Sequence, residues 1–149
     1  MTDKPILIEV DKLGYSTYTI YQNWYKMIVR PTGKPYYEAI SVLAEVVSWY
    51  SPEYQYDRQG RLIHVGSRFE GPYLAQNYEQ FSELLNLSKR DVIRAVVHLE
   101  KFGLLMRHFY NKIDEQTNLL QTNNLMLELI PERLYEITRG SILQEHDSP

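Results

Sequence analysis

Apolar side chains between Ser88 and Gly103 recur three and four positions apart, which is the spacing of one face of an α-helix. The Ser88 hydroxyl is suited to cap the first turn, and Asp91 adds negative charge where the helix dipole favours it. Gly103 is suited to end the helix, because the residue after a helix often has a positive φ. The pattern therefore predicts an amphipathic helix that buries the following residues: Val92, Ala95, Val96, Leu99 and Phe102.

The neighbouring segments complete a helix-turn-helix followed by a hairpin. Residues 77–85 predict a first helix, and residues 86–87 predict the turn. Its expected inward positions are Tyr78, Phe81, Leu84 and Leu85. Residues 104–110 and 123–129 predict two strands, joined by a polar loop over residues 111–122. Two strands joined by a flexible loop directly after such a helix are typical of a wing.

The N-terminal part of the chain is predicted to contain shorter elements. Residues 6–10 are rich in β-branched side chains and predict a strand, with a turn over residues 11–14. Residues 17–28 are rich in aromatic side chains, and we expect an extended entry followed by a short helix over residues 23–28. Pro31 and Gly33 predict a loop over residues 30–34.

A long and unusually apolar helix is predicted over residues 35–50, with Pro35 at its first position. Its polar residues form one narrow stripe, while the rest of its surface is aliphatic or aromatic. The stripe consists of Glu38, Ser41, Glu45 and Ser48. Such a helix either lies at the centre of its own domain or forms a dimer interface.

Residues 51–73 form an insertion that predicts a β-hairpin around Asp57-Arg58-Gln59-Gly60. Arg58, Arg61 and Arg68 make this insertion locally basic. It is either a solvated loop or, beside the basic side of the helix that follows Ser88, a second surface that could contact DNA. At the other end of the chain, Pro131 begins a predicted short helix over residues 132–138, and residues 139–149 are expected to form a frayed tail.

The composition narrows the class of protein. A chain of 149 residues is expected to form a single domain with a real core. It contains no cysteine, which excludes disulfides and cysteine ligands and fits a reducing, cytoplasmic location. We see neither a signal peptide nor a membrane span, and so expect no membrane partner.

Acidic and basic residues are distributed unevenly. The formal net charge of −3 argues against nonspecific phosphate binding by the whole surface. Residues 88–112, however, contain six basic and two acidic residues, whereas residues 113–149 contain two basic and seven acidic residues. The predicted helix therefore lies in a basic part of an acidic chain.

No pattern of catalytic residues is found. The four histidines (His64, His98, His108 and His146) lack metal-ligand spacing, and we interpret His98 as a solvated residue on a helix surface. Gly33-Lys34 lacks the upstream glycine of a P-loop, and there is no GxSxG or GxGxxG motif. We therefore expect a protein that is not an enzyme and that needs no metal or other cofactor.

The sequence resembles two groups of proteins. Residues 87–107 read LSKRDVIRAVVHLEKFGLLMR and resemble the winged-helix pattern LS.R.V.RAL..LE..GLI.R. Residues 18–29 (YTIYQNWYKMIV) and 36–51 (YYEAISVLAEVVSWYS) are similar to the N-terminal domain of phage and plasmid replication initiators of the replication protein O type. Gln22 occupies the position at which those initiators have proline.

The expected fold is α+β and mainly helical: a winged helix-turn-helix with an N-terminal extension and a short C-terminal helix. We divide the chain into an extension (1–33), a first core helix (35–50), an insertion (51–73), a helix-turn-helix (77–102), a wing (104–129) and a C-terminal helix and tail (131–149). Residues 88–112 supply the expected DNA-contacting positions, namely Ser88, Lys89, Arg90, Arg94, His98, Lys101, Arg107 and Lys112.

The expected function is sequence-specific binding of double-stranded DNA, in replication initiation or transcription regulation, by a phage, plasmid or other mobile element. Lys89, Arg90 and Arg94 would face the groove, and Lys101, Arg107 and Lys112 would contact phosphate. A homodimer would form through the 35–50 helix or the tyrosine-rich N-terminus. The alternative is a non-enzymatic protein-interaction module on the same scaffold, of an acidic, inhibitory kind, with a protein partner.

Overall fold

The computed structural model describes residues 5–14 and 17–147, and side chains as far as Arg139. This part of the chain is α+β, with six helices and two small antiparallel sheets. In chain order the elements are α1 (Pro5–Asp11), α2 (Trp24–Met27), α3 (Tyr37–Tyr50), β1 (Glu53–Tyr56), β2 (Leu62–Gly66), α4 (Tyr78–Leu85), α5 (Lys89–Lys101), β3 (Leu105–Ile113), β4 (Leu120–Leu129) and α6 (Pro131–Asp147).

Helix α3 is the central helix of the core. Six of its apolar side chains are at most 1% exposed: Ala39, Ile40, Val42, Leu43, Ala44 and Val46. Of the two alternatives for this helix, the core helix is therefore the one observed. It begins at Tyr37 rather than at Pro35, because Pro35 forms a β-bridge with Val29. The predicted polar stripe is interrupted, since Glu45 is only 4% exposed and accepts a hydrogen bond from Tyr18.

Helices α4 and α5 form as predicted, each with a capped N-terminus. The Asn77 side chain accepts from the backbone N–H of Gln80, and the Gln80 side chain accepts from the N–H of Asn77, which forms a capping box. Asn86 adopts a left-handed conformation between the helices, with φ of 54°. Ser88 then accepts from the N–H of Asp91 at 3.0 Å. These local bonds define the turn and the direction in which α5 begins.

The side of α5 that faces the core was predicted correctly. Val92, Ala95, Val96 and Leu99 are fully buried, whereas Phe102 is only partly buried and follows the helix as its C-cap. Gly103 ends the segment with φ of 84°. The prediction for α4 was partly wrong, because Leu84 points outward and is 56% exposed. Only Phe81 of that helix is fully buried.

Strands β3 and β4 form a long antiparallel hairpin after α5. Both are longer than predicted, so the connecting loop spans residues 114–119 rather than 111–122. Leu125, Leu127 and Leu129 alternate along β4 and face the core. The backbone of Leu74 pairs with that of Leu127, and the Tyr50 hydroxyl donates to the carbonyl of Leu127 and accepts from the N–H of Leu74. The hairpin is thereby joined to α3.

Strands β1 and β2 form the hairpin that was predicted for the insertion. The Asp57 carboxylate organises its turn by accepting from the N–H groups of Gln59 and Arg61 and from the Arg61 side chain. The side chains on both faces are largely exposed, including Tyr54, Tyr56, Leu62, Ile63 and Val65. This hairpin therefore projects from the domain.

The two ends of the chain differ from the prediction. The expected strand at residues 6–10 is the helix α1, in which every residue is exposed. No neighbouring strand pairs with this segment in the described part of the chain, and Pro5 is suited to a first helical position. The expected tail is also wrong as far as Asp147, because α6 extends that far; residues 148–149 lie outside the described residues.

Helix α2 links the N-terminal segment to α6. The predicted short helix is present at Trp24–Met27. Trp24 is fully buried, and its Nε1 donates to Oγ1 of Thr138 at 2.8 Å. Nδ2 of Asn23 donates to the carbonyl of Ile137 at 2.7 Å. In the part of the chain that the structure describes, no helix combines the length and apolar character needed to cross a membrane.

Candidate nucleic-acid interface

The outer side of α5 carries the basic residues that the sequence singled out. Lys89, Arg90, Arg94 and Lys101 are all exposed. Arg90 and Arg94 are four residues apart and therefore project from the same side of the helix, one turn apart. Among the side chains that the structure describes, no carboxylate forms an ion pair with either guanidinium group. Their hydrogen-bond donors are free to bind an anion.

Lys89 is paired only weakly. Its Nζ lies 3.3 Å from Oε1 of Glu79, and the two side chains are 55% and 71% exposed. An ion pair this open to solvent contributes little to stability. Lys89 and Arg90 also lie at the positive end of the α5 dipole, where a bound anion would offset both charges. This end of the helix is therefore electrostatically suited to a phosphate group.

Arg30, which no sequence pattern singled out, also lies on this basic surface. Its guanidinium carbon lies 4.0 Å from the centre of the Tyr36 ring, and its Nη2 bonds to Glu38 at 2.9 Å. Burial raises the pKa of the Tyr36 hydroxyl, and the nearby charges of Arg30 and Arg94 partly oppose this. Both arginines therefore lie near the N-terminal end of α3. The only sequence signal was a basic residue in the loop before the core helix.

His98 does not lie on a solvated surface, so that prediction was wrong. Its ring centre is 4.8 Å from that of Tyr36, and its ring stacks on Phe102 at 6.0 Å. Its Nε2 is buried and has no hydrogen-bond partner among the described atoms. Helical spacing placed His98 on the basic side of α5, but the loop before α3 covers that position. Its predicted role as a DNA contact loses its geometric support.

The burial of His98 predicts a pH dependence of folding. Burial lowers the pKa of His98, and the charges of Arg30 and Lys101 lower it further. The unfolded chain, with an ordinary histidine pKa of about 6.5, then binds a proton that the folded chain binds only at lower pH. This contribution to stability is present above about pH 6.5 and is lost as the pH falls through the lowered folded-state value.

Urea unfolding at about pH 7.5 and about pH 5.5 tests this expectation. His98→Phe should lose less stability between the two pH values than the unmodified protein does. His64→Phe, on the exposed strand β2, is the matched control and should behave like the unmodified protein. An equal loss in the His98 and His64 variants would contradict the assignment.

Arg107 is engaged in a different contact from the one predicted. Its Nη2 and Nε bond to Oε1 of Glu100 at 3.0 and 3.2 Å, and its backbone N–H donates to Oε2 at 2.8 Å. Its Nη1 also bonds to the Tyr78 hydroxyl at 3.3 Å. The hydrogen bonds from the Arg107 side chain hold the pKa of Glu100 below its ordinary value. Arg107 thus ties β3 to α5 and α4, which competes with the expected phosphate contact.

Ser88 and Lys112 keep the positions that the sequence suggested. The Ser88 oxygen caps α5, and its hydroxyl proton can still be donated to an anion at the same helix end. Lys112 is exposed near the end of β3, opposite Gln121. The Asp114 carboxylate lies in the adjacent loop and accepts from the backbone N–H of Gln116 and from the Gln121 side chain. Lys112 therefore adds a positive charge near the loop end of the hairpin, about 23 Å along β3 from the end that follows α5, beside one fixed negative charge.

The insertion arginines do not gather with Arg94. Arg61 is paired with Asp57 at 3.0 Å within its own turn, and Arg58 is exposed at the same hairpin end. Arg68 lines a hollow with Ser48 and Trp49, at the C-terminal end of α3. Arg94 lies near the opposite end, and a helix of 14 residues is about 21 Å long. Arg68 thus belongs to a different part of the surface, which weakens the case for a second DNA contact.

Comparisons with known proteins add little. No protein-family model matches the chain, and no curated protein matches it. A solved structure described as "Structure of Rep-DNA complex" is similar over 100% of this chain and 99% of that chain, with 16% sequence identity and a TM-score of 0.43.

Among the described residues, no group of three or more histidines and carboxylates lies close enough together to hold a metal ion.

Proposed function

We propose that this chain is a non-enzymatic, sequence-specific double-stranded DNA-binding protein of the winged-helix type. In this proposal α5 enters the major groove, and the β3–β4 hairpin acts as the wing beside it. The observation that carries the proposal is the pair formed by Arg90 and Arg94. Both are exposed, one helical turn apart, and without an ion-pair partner among the described side chains.

The fold holds this pair rigidly. The opposite side of α5 is fully buried through Val92 and Leu99, and its first turn is fixed by the Ser88 cap. Each arginine can donate two parallel hydrogen bonds to O6 and N7 of a guanine, worth about 1–3 kcal/mol of discrimination per pair. A helix fixed in this way supports the recognition of a defined base sequence rather than of charge alone.

Phosphate contacts would come from residues around the helix. Lys101 lies at the C-terminal end of α5, Lys112 on the hairpin and Arg30 on the loop before α3. Such contacts position a protein on the duplex and make binding depend on salt. Contacts from three different elements would hold α5 in one orientation in the groove.

The biological role rests on the sequence resemblance. Residues 18–51 resemble phage and plasmid replication initiators, and residues 87–107 resemble winged-helix proteins in general. We therefore propose replication initiation or transcription regulation in a phage, plasmid or other mobile element. A homodimer would place two copies of α5 on half-sites about one helical turn apart.

Selection from a random duplex library tests this function. We expect the full chain to enrich a defined motif, and the affinity for that motif to fall steeply between about 50 and 200 mM salt. Arg30→Ala should reduce the slope of log affinity against log salt by about 0.9 while leaving the motif unchanged. If no motif is enriched and no salt-sensitive complex forms, the proposal is wrong.

The exposed β1–β2 hairpin favours a second candidate function, a protein-interaction module. Its five large apolar side chains are each more than half exposed, which is unusual for a surface that meets only water. In this case capture of a host protein should survive Arg90→Ala and Arg94→Ala, and should be lost when Ile63 and Val65 on the hairpin are changed to aspartate. The two candidates therefore differ in which variants abolish binding.

A further inference from the structure

An apolar groove lies between α3, α4 and the segment that leads into α4. It has a volume of about 710 Å³. Its apolar lining consists of Trp49, Phe69, Leu74, Ala75 and Leu84, and its polar lining consists of Glu70, Gln76, Gln80 and Glu83. Leu84 is 56% exposed and Trp49 is 38% exposed, so two large side chains of the groove meet solvent. Grooves of this size and character accommodate apolar side chains of a ligand or of another protein segment.

Helix α1 is an apolar segment whose side chains are not covered by any other described part of the chain. Ile6, Leu7, Ile8 and Val10 are between 51% and 67% exposed, and Leu13 directly after the helix is 81% exposed. Ile6, Val10 and Leu13 follow the spacing i, i+4, i+7, which places them on one side of a helix. This is the pattern of side chains by which a helix binds an apolar groove.

The length of α1 also points to a missing partner. It has seven residues, whereas isolated helices shorter than about 12–15 residues are only marginally stable in water. Helices this short are stabilised by packing, and within the described part of the chain no residue of α1 is buried. Within the described part of the chain, α1 therefore has no buried contact that would stabilise it.

The groove and α1 are connected through the chain. Thr17 and Tyr18, which follow α1 after a short link, line a hollow together with Trp49 and Leu84 of the groove. Two residues separate Gly14 from Thr17, so the two lie at most about 10 Å apart. The residue Gly14, which follows α1, therefore lies within about 10 Å of residues beside the groove. No residue of α1 lines the groove itself.

We propose that α1 of each chain docks in the groove of a second copy, and that this exchange forms a symmetric dimer. One contact, made twice across a two-fold axis, covers both exposed features without changing the conformation of either chain. Exchange of a terminal segment between identical chains is a low-cost way to build a dimer. In the described chain no residue of α1 lines its own groove, so the proposal assigns that groove to the α1 of the second copy.

The proposed contact is separate from the candidate DNA interface. Trp49 is at the C-terminal end of α3, whereas Tyr36, near Arg30 and Arg94, precedes its N-terminal end. Because the contact is apolar, it should persist at high salt, under which DNA binding weakens. A failure of this proposal would therefore leave the proposed contact between α5 and DNA untouched, and the reverse also holds.

Analytical ultracentrifugation of the full chain over a range of concentrations tests the dimer. Val10→Asp in α1 and Leu84→Asp in the groove should each raise the dimer dissociation constant by about 100-fold, because a charge then enters an apolar contact. Ile63→Asp on β2 is the matched control, since Ile63 is 64% exposed but lies in neither feature, and it should leave the constant unchanged. Thermal melts check that all three variants fold.

Mixing the two disrupted variants gives the sharpest test. The Val10→Asp chain keeps an intact groove, and the Leu84→Asp chain keeps an intact α1. An equimolar mixture should therefore form dimers more readily than either variant alone, because the mixed dimer has one intact contact. Trp49 should also become protected from iodide quenching as the dimer forms, while the fully buried Trp24 stays protected throughout.

Three results would overturn the proposal. The first is a protein that stays monomeric at every concentration with Trp49 open to iodide. The second is a monomer with Trp49 already protected, which would place α1 in the groove of its own chain. The third is a dimer that Ile63→Asp breaks, or that Val10→Asp leaves intact, because the interface would then lie elsewhere.

Discussion

Replacing Arg90 and Arg94 together by alanine is expected to weaken binding to the selected duplex by about 2–6 kcal/mol, which is about 30-fold to 20,000-fold. The reason is that both guanidinium groups are exposed on one side of α5 and have no competing ion pair among the described residues. Each single variant should relax the base preference at one position of the motif. Fluorescence anisotropy with the selected duplex and with single-base variants of it measures both effects.

The matched control removes the same charge elsewhere. Arg58→Ala combined with Arg68→Ala also lowers the net charge by two, but both residues lie outside the basic surface around α5. We expect this variant to change affinity by less than about 3-fold, through long-range electrostatics alone. Equal losses in the two double variants would show that binding depends on total charge, and the proposed reading of bases by α5 would be wrong.

Replacing Trp24 by alanine is expected to destabilise the fold by about 3–5 kcal/mol, out of a total of about 5–15 kcal/mol for a typical domain. Trp24 is fully buried and is the largest side chain of the core, so its removal leaves a large cavity between the N-terminal segment and α6. The hydrogen bond from its Nε1 to Oγ1 of Thr138 is lost as well. Urea unfolding monitored by circular dichroism measures the change.

Two control variants separate the cavity from the hydrogen bond. Thr138→Val removes the acceptor of the Trp24 Nε1 but keeps the packing, and should cost about 1–3 kcal/mol because the indole N–H is left unpaired. Tyr25→Ala removes a neighbouring aromatic ring that is 39% exposed and should cost less than about 1 kcal/mol. A loss for Trp24→Ala no larger than that for Tyr25→Ala would contradict the view that α2 anchors the N-terminal segment.

The elements that could be predicted from sequence are those determined by neighbouring residues. Ser88 caps α5, Asn86 forms the turn, Gly103 ends the helix, and Asp57 organises the first hairpin. In each case the side chain bonds to the backbone within five residues or adopts a conformation that its own chemistry favours. Such signals are fully present in the local sequence.

The elements that were predicted wrongly depend on distant residues. Residues 6–10 have strand propensity, but the described chain offers no strand edge beside them, and the helix α1 forms instead. Glu45 was assigned to a polar stripe, yet Tyr18, 27 residues earlier, supplies a hydrogen bond that allows its burial. Propensity and periodicity contain no information on such partners.

The candidate site shows the same division. Helical spacing correctly placed Arg90, Arg94 and Lys101 on the outer side of α5. It could not show that the loop before α3 covers His98, or that the same loop brings Arg30 to the surface near Arg94. It also could not show that Glu100 engages the guanidinium of Arg107. Each of these three facts depends on which element packs beside α5.

The bonds from Arg107 to Glu100 and Tyr78 have a further consequence for the proposed complex. They fasten the base of the β3–β4 hairpin to both α4 and α5, so the hairpin cannot swing independently of the helix that it follows. If the helix and hairpin bind a duplex as one rigid unit, the DNA has to adjust its groove width to fit them. The energy of that deformation differs between stiff and easily deformed base steps. Selectivity would then extend to base pairs that no side chain touches.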